Sequence, residues 1–195
     1  MIEDPNQNGR AVFNSIGSGL EITIPAKKNW FLIFFLTAWL CGWSTGGFFA
    51  IREIFSPSIP MGAEVFLIFW VLAWCAGEFF ALRVITWMLF GKQVITIDKG
   101  LLKIENIFPG FNRKKEYAIS SVKKMGIAGD VATINSLGGT RTYNSREFWG
   151  MKGGKIKFDY GMNTVKMAIG IDDAEAGFIL RKLRENRYMT EANFE

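Results

Sequence analysis

The chain has 195 residues, with 23 Lys+Arg against 18 Asp+Glu and a net charge of +5, room for one or two small domains. It holds no His and only 2 Cys, which excludes Ser-His, Cys-His and His-metal chemistry, a thiolate zinc cage and a disulfide framework. Aromatic residues reach 15%, with 18 Phe and 7 Trp, and their uneven placement is the first positive signal.

In chain order, residues 1–29 are polar-rich until GLEITIP, where Leu20, Ile22 and Ile24 alternate and Pro25 closes the run. This predicts a strand at about 20–24. Residues 30–51, WFLIFFLTAWLCGWSTGGFFAI, then carry no formal charge. As a helix they span ~33 Å, enough for a bilayer core of ~30 Å. A second apolar run from Val65 is interrupted only by Glu78 and Arg83 before Phe90. We expect spans at about 30–51 and 65–86, joined by an outside linker, 52–64, in which Pro57 and Pro60 break the helices. A soluble hairpin would need a polar face, which the first run does not have. A cleaved signal would start earlier, be shorter and end in small residues. Six of the seven Trp lie in 30–90, with Trp30 and Trp87 near the two same-side ends, where interfacial Trp is favoured.

Basic residues set the orientation. Lys27 and Lys28 precede the first span, Arg83, Lys92 and Lys99 end or follow the second, and the linker offers only Arg52. Both termini are therefore expected on the cytoplasmic side. Residues 91–195 hold 18 Lys+Arg and 12 Asp+Glu, an excess that suits an anionic inner leaflet. No nucleic-acid-binding motif accompanies it.

Inside the hairpin, Gly42 and Gly46 form GxxxG, and Ala73, Gly77 and Ala81 repeat small residues every four. Such stripes let helices approach closely, within the hairpin or against another membrane protein. Glu78 is the single ionisable residue deep in a span, and Arg83 lies five residues on. An intramembrane charge is costly unless paired, protonated or wetted. Arg83 is expected to snorkel to the headgroups, with Glu78 bonded to it, to water, or to Ser44 or Thr45 opposite; the other reading is contact with a partner subunit. Cys41 and Cys75 lie at similar depth and read as small packing residues. Trp39/Trp43 and Trp70/Trp74 share helix faces by their spacing of four. With no His ligand, these rings read as lipid contact and packing, and no cofactor or metal is expected.

After Gly91 the period becomes two. VITID (94–98) and LLKIENIF (101–108) read as a hairpin, RKKEYAI (113–119) and VKKMGIA (122–128) continue it, and GKIKFDYG (154–161) with NTVKMAIG (163–170) forms a second. Residues 172–187 turn helical, with Asp172 and Glu175 as a capping box and Ala176, Ile179, Leu180 and Leu183 as the buried stripe. Residues 188–195 read as a tail. The stretch 129–153 shows no period and is long for a connection, so it is functional or holds an unseen strand. Phe148 and Trp149 in it read as a partner-binding site or as core rings. The fold class is a membrane α+β protein: a two-helix hairpin, then a small barrel or curved sheet over 91–187 with a C-terminal amphipathic helix. The strand before the first span is expected to join the same sheet.

IPAKKNW, TAWLCGWSTGG, FGKQVITID, GKIKFDYGMNT and GIDDAEAGFILRKL together resemble bacterial membrane proteins that join a two-helix hairpin to a pleckstrin-homology-like domain, many of them uncharacterised. The resemblance covers 20–187 with a gap over 129–153. Where that group has a Phe-Gly pair after the last strand, this chain has Met167-Ala168-Ile169-Gly170. A looser likeness of layout, through IDKGLLKIENIFPGFNRKK, is to the photosystem I assembly protein of plastids and cyanobacteria. The resemblance implies a pleckstrin-like domain at the bacterial inner membrane and no particular ligand.

Two functions are weighed. One is a non-catalytic membrane-anchored interaction module, an accessory, assembly or stabilising subunit of a larger inner-membrane complex, partnered by lipids and other integral membrane subunits. The other is recognition of anionic lipid headgroups through Arg113, Lys114 and Lys115, with Lys103, Lys123 and Lys124 near them. Enzyme chemistry finds no P-loop, GxSxG or ligand cluster; Asp172, Asp173, Asp159 and Tyr160 are explained by a helix cap and a strand face. No small-molecule substrate and no nucleic acid is expected.

Overall fold

A computed structural model describes residues 9–55, 60–128, 131–136, 139–144 and 154–195. The chain forms two compact units, one of residues 28–89 and one of the flanking segments.

The helical unit is an antiparallel-connected pair, α1 (Trp30–Ile54) and α2 (Met61–Phe90). Their 25 and 30 residues correspond to ~37 and ~45 Å, and both are apolar enough to cross a bilayer. Of the most apolar 18-residue stretch in each, 22% and 11% of residues are buried, far too little for core helices of a soluble protein. Asn29 caps α1, its Oδ1 accepting the Leu32 amide at 3.1 Å. Both helices run further than the apolar runs: α1 carries Arg52 in its last turn and α2 Glu64 in its first. These are the signs that the peptide dipoles favour there. The expected linker 52–64 is shortened accordingly. Pro60 starts α2, its carbonyl accepting the amides of Ala63 and Glu64 at 2.9 and 3.0 Å.

The β unit contains a five-stranded antiparallel meander, β1 (Val12–Ile16), β2 (Gly19–Pro25), β3 (Lys92–Asp98), β4 (Leu101–Phe108) and β5 (Phe111–Ala118), in that spatial order. The helical unit is inserted between two neighbouring strands of it. Register runs from Leu20↔Ile97 to Pro25↔Lys92, and the Ala26 amide donates to the Gly91 carbonyl at 2.9 Å. The expected strand before the first span is thus β2, and it does join the sheet. β1 is an addition to the expected scheme, joined to β2 by the Gly17-Ser18 turn, with Gly17 at φ 57.

A second sheet has the order β10 (Asn163–Met167), β9 (Ile156–Tyr160), β6 (Val122–Ile127). The irregular stretch does hold strands: β7 (Val131–Ser136) pairs with β8 (Gly139–Asn144). α3 (Asp173–Glu185) follows. Asp172 accepts the Glu175 amide at 2.8 Å, but Glu175 turns its own carboxylate to the Ala11 amide at 2.6 Å, tying α3 to the start of β1. Alternation puts Leu20, Ile22, Ile24, Ile95, Ile97, Leu102 and Ile104 on one sheet face, against Ile156, Phe158 and Met167 of the second sheet and Ala176, Ile179 and Leu183 of α3.

The expected barrel does not form. Among the described residues the two sheets stay separate. The chain leaves β5 through a 3-10 turn at Ile119–Ser121 and changes sheet, and β6 carries a register shift between Lys123 and Gly126. β5 also ends its sheet with six consecutive exposed positions, Phe111 to Glu116, a charged edge that discourages further pairing.

Candidate functional site

The face of α1 on α2 is built from tryptophan against glycine. Trp43 lies between Trp39 and Trp74, with ring centroids 4.3 Å from each, and Trp70 extends the column at 6.0 Å from Trp74. Trp74 Nε1 donates to the Trp43 carbonyl at 3.2 Å. The Trp74 ring sits over Gly46 and Gly47, where an added Cβ would lie 3.1 and 3.3 Å from it; a Cβ added at Gly77 would lie 4.0 Å from the Trp43 ring. Small residues here admit indoles, not a close backbone crossing. Trp43 Nε1 is buried without an acceptor, a local cost of the stacked arrangement.

The small-residue stripes are therefore split. Gly46 and Gly77 serve the contact, and Ala81 is buried beside it. Gly42 has nothing within 4 Å of its added Cβ, and Ala73 is exposed. Both Cys are free and exposed.

A second polar contact between the two helices joins side chains: Ser44 Oγ donates to Glu78 Oε1 at 2.6 Å. Thr45 instead donates to its own helix, to the Cys41 carbonyl at 2.8 Å. Arg83 is half-buried on α2. The Ser44–Glu78 pair lies on the outside of the hairpin, not in the tryptophan seam. Leu82, one turn from Glu78 on the same face, is 53% exposed.

The basic run after the β4–β5 turn does not form one patch. Successive strand residues point to opposite faces, so Lys114 lies apart from Arg113 and Lys115. Lys114 faces a charged ladder, its Nζ 2.9 Å from Glu116 and 3.8 Å from Glu105, while Lys103 stands 3.9 Å from Glu116. The hydrogen bond and the charge of Lys114 hold the Glu116 carboxyl below its usual range, and Glu116 in turn raises Lys114. Arg113 and Lys115 share the face of Tyr117, whose ring packs edge-on against Phe158 and Tyr160 at 5.2 and 5.1 Å. Burial pushes the Tyr117 hydroxyl up, partly opposed by the Arg113 charge. Phe148 and Trp149 lie outside the described residues.

Two polar residues that sequence reasoning missed join the elements of the β unit. Gln93 is 2% exposed. Its Oε1 accepts the amides of Ala168 and Ile169 at 2.7 and 3.2 Å, and its Nε2 donates to Asn106 at 2.8 Å. It joins the first sheet to the end of β10, where Ala168 is held at φ 64, in the left-handed region that glycine adopts more readily. Asn193 is 3% exposed and donates to the carbonyls of Ile119 and Val122 at 2.7 and 2.9 Å. The residues after 187 are thus packed: Met189 is buried and Phe194 lies on the core, under Arg184. A polar residue within an apolar alternation was the one signal for Gln93; none marks Asn193.

No protein-family model matches the chain, and no curated protein matches it.

Proposed function

We propose that the chain is a non-catalytic, membrane-anchored interaction module, an accessory, assembly or stabilising subunit of a larger inner-membrane protein complex. The observation that carries this reading is the Ser44–Glu78 pair on the outer side of a helical hairpin. In a bilayer a carboxyl group facing lipid costs several kcal/mol, and one serine donor leaves its second oxygen to be satisfied. A neighbouring transmembrane segment with a donor or a cation at that depth would supply the missing partner. The exposed neighbours of the pair on their own helices, Phe48, Phe79 and Leu82, suit lipid and helix contact alike.

The rest of the reading follows from the fold. The hairpin begins and ends on adjacent, paired strands, which supports a reading with both of its ends on one side of a membrane. Lys27, Lys28 and Lys92 near those ends, against Arg52 at the far turn, favour the cytoplasmic side. Two antiparallel sheets and a C-terminal helix sharing one core support a pleckstrin-homology-like reading of the β unit, and with it the bacterial relatives of that layout. The headgroup reading through Arg113–Lys115 is weaker, because Lys114 is engaged by two glutamates.

Native mass measurement after extraction in mild detergent tests the proposal. A complex with a second integral membrane protein, lost in Glu78→Leu, is expected. A strictly monomeric chain carrying only lipid would contradict it.

A further inference from the structure

The Ser44–Glu78 pair stands near the middle of the helical unit. Glu78 lies about 25 Å along the axis from the start of α2 and about 18 Å from its end. Ser44 lies about 21 Å from the start of α1 and about 15 Å from its end. In a hydrocarbon layer of ~30 Å neither short side chain reaches the headgroups from there. Among the described residues, the Ser44 hydroxyl is the one hydrogen-bond partner of Glu78, and no ion pair to Glu78 occurs. Arg83, the nearest cation on α2, projects about 140° around the helix from Glu78 and is engaged elsewhere.

A neutral carboxyl group here would carry a hydroxyl without an acceptor. A carboxylate carries a charge without a cation. The 2.6 Å contact separates the two cases. A hydroxyl that donates to a neutral oxygen settles at about 2.7–2.8 Å, and one that donates to a carboxylate at about 2.5–2.7 Å. The unmet need is therefore a positive charge. Access to it is open: Cys41 and Cys75, three residues before Ser44 and Glu78 on the same helix faces, are small and exposed, so a long side chain can lie against the hairpin there. A second copy of the chain does not meet the need. Hairpins related by a two-fold axis along the membrane normal hold equal residues at equal depth, so the copy presents a like charge, with its Arg83 ~7.5 Å away in depth.

We propose that the Ser44–Glu78 pair is the docking site for a transmembrane helix of a different protein that carries a lysine or arginine at mid-bilayer depth. The proposal rests on the subunit reading above and names the chemistry of its partner. Ser44 holds Oε1 of the carboxylate, and Oε2 is left for the ammonium or guanidinium group. In lipid each of these charges is costly alone and far less so paired, so the two helices specify one another. The exposed Phe48 and Leu82, one turn beyond Ser44 and Glu78, flank the contact.

The test uses the full chain with Cys41→Ala and Cys75→Ala, a donor dye on Leu72→Cys, and phosphatidylcholine vesicles. The probes are three synthetic transmembrane helices of leucine and alanine, acceptor-labelled and identical except for a central lysine, glutamine or leucine. Energy transfer reads association. The lysine helix is expected to associate on the order of ten-fold more tightly than the leucine helix, with the glutamine helix well below it. Glu78→Gln, which keeps size and the Ser44 bond, should abolish the lysine advantage, and Glu78→Asp should retain much of it. Equal association of the lysine and glutamine helices, or a lysine advantage that survives Glu78→Gln, overturns the cation. So does Glu78-dependent transfer between donor- and acceptor-labelled copies of the chain without peptide. A native complex that persists in Glu78→Gln and is lost only in Glu78→Leu overturns the cation while the subunit reading stands. A chain without any native partner contradicts the subunit reading itself, whatever the peptides do.

Discussion

The Ala26 amide donates to the Gly91 carbonyl at 2.9 Å, continuing the β2–β3 ladder beyond its last strand pair, Pro25↔Lys92. The helical hairpin is in effect the connection of a β-hairpin. Its two ends are held one strand spacing apart. The interior polar residues of the β unit are the places to perturb it.

Gln93→Leu keeps the approximate volume but removes the acceptor of the Ala168 amide and the donor to Asn106. Stranding those buried groups costs about 2–3 kcal/mol. It also releases Ala168 from its left-handed conformation. Chemical denaturation of the detergent-solubilised chain should show that loss. A change below about 0.5 kcal/mol would mean that Gln93 does not join the sheets.

Asn193→Ala removes the donor to the Ile119 and Val122 carbonyls at the corner between the sheets. We expect a loss of about 1–3 kcal/mol and faster amide exchange at Met189 and through the corner at 119–122. Exchange protection unchanged by the substitution would make the C-terminal segment a mere appendage.

Two glycines of the same GxxxG should behave oppositely. Gly42→Ala meets nothing and gains helix propensity of up to about 1 kcal/mol. Gly46→Leu must displace the Trp74 ring, which already stands 3.1 Å from where a Cβ would be, at a cost of about 1–3 kcal/mol. Thermal unfolding in detergent separates them, and equal effects would argue against the tryptophan-on-glycine seam.

At high pH, Tyr117 should limit stability. Burial raises its folded-state pKa above the ordinary value of 10.0, so above that value the unfolded chain releases this proton first. Stability is then full below about pH 10 and falls as pH rises toward the folded pKa. Tyr117→Phe should flatten the alkaline limb of a stability–pH curve; an unchanged slope would assign the loss to other groups.

The pattern of residues discloses most of this architecture, for physical reasons. Long uncharged runs and strict alternation are properties of single segments, so α1, α2, β2, β4 and α3 are visible in the chain. The polar joints depend on partners far away in sequence: Gln93 meets Ala168, and Asn193 meets Ile119. Nothing local announces them. β1 hides because only Phe13 of its own residues, with Ala11 just before it, packs inward while Val12 and Ile16 stay exposed. Spacing alone also does not say which small residues meet inside the hairpin: the indoles of Trp43 and Trp74 use Gly46 and Gly77 and leave Gly42 and Ala73 exposed. The Ser44–Glu78 bond was among the alternatives open from spacing alone, and only geometry selects Ser44 over Thr45.

A photo-crosslinking residue at Leu82, one turn from Glu78 on the same exposed face, gives the most direct test of a partner in the membrane. Phe80, two residues back and about 200° around the helix, serves as the control. In native membranes the probe at 82 should capture a second integral membrane protein in good yield, the probe at 80 mainly lipid, and Glu78→Leu should abolish the protein adduct. Lipid adducts alone from both positions, with or without Glu78, would contradict the account of this chain as a membrane subunit.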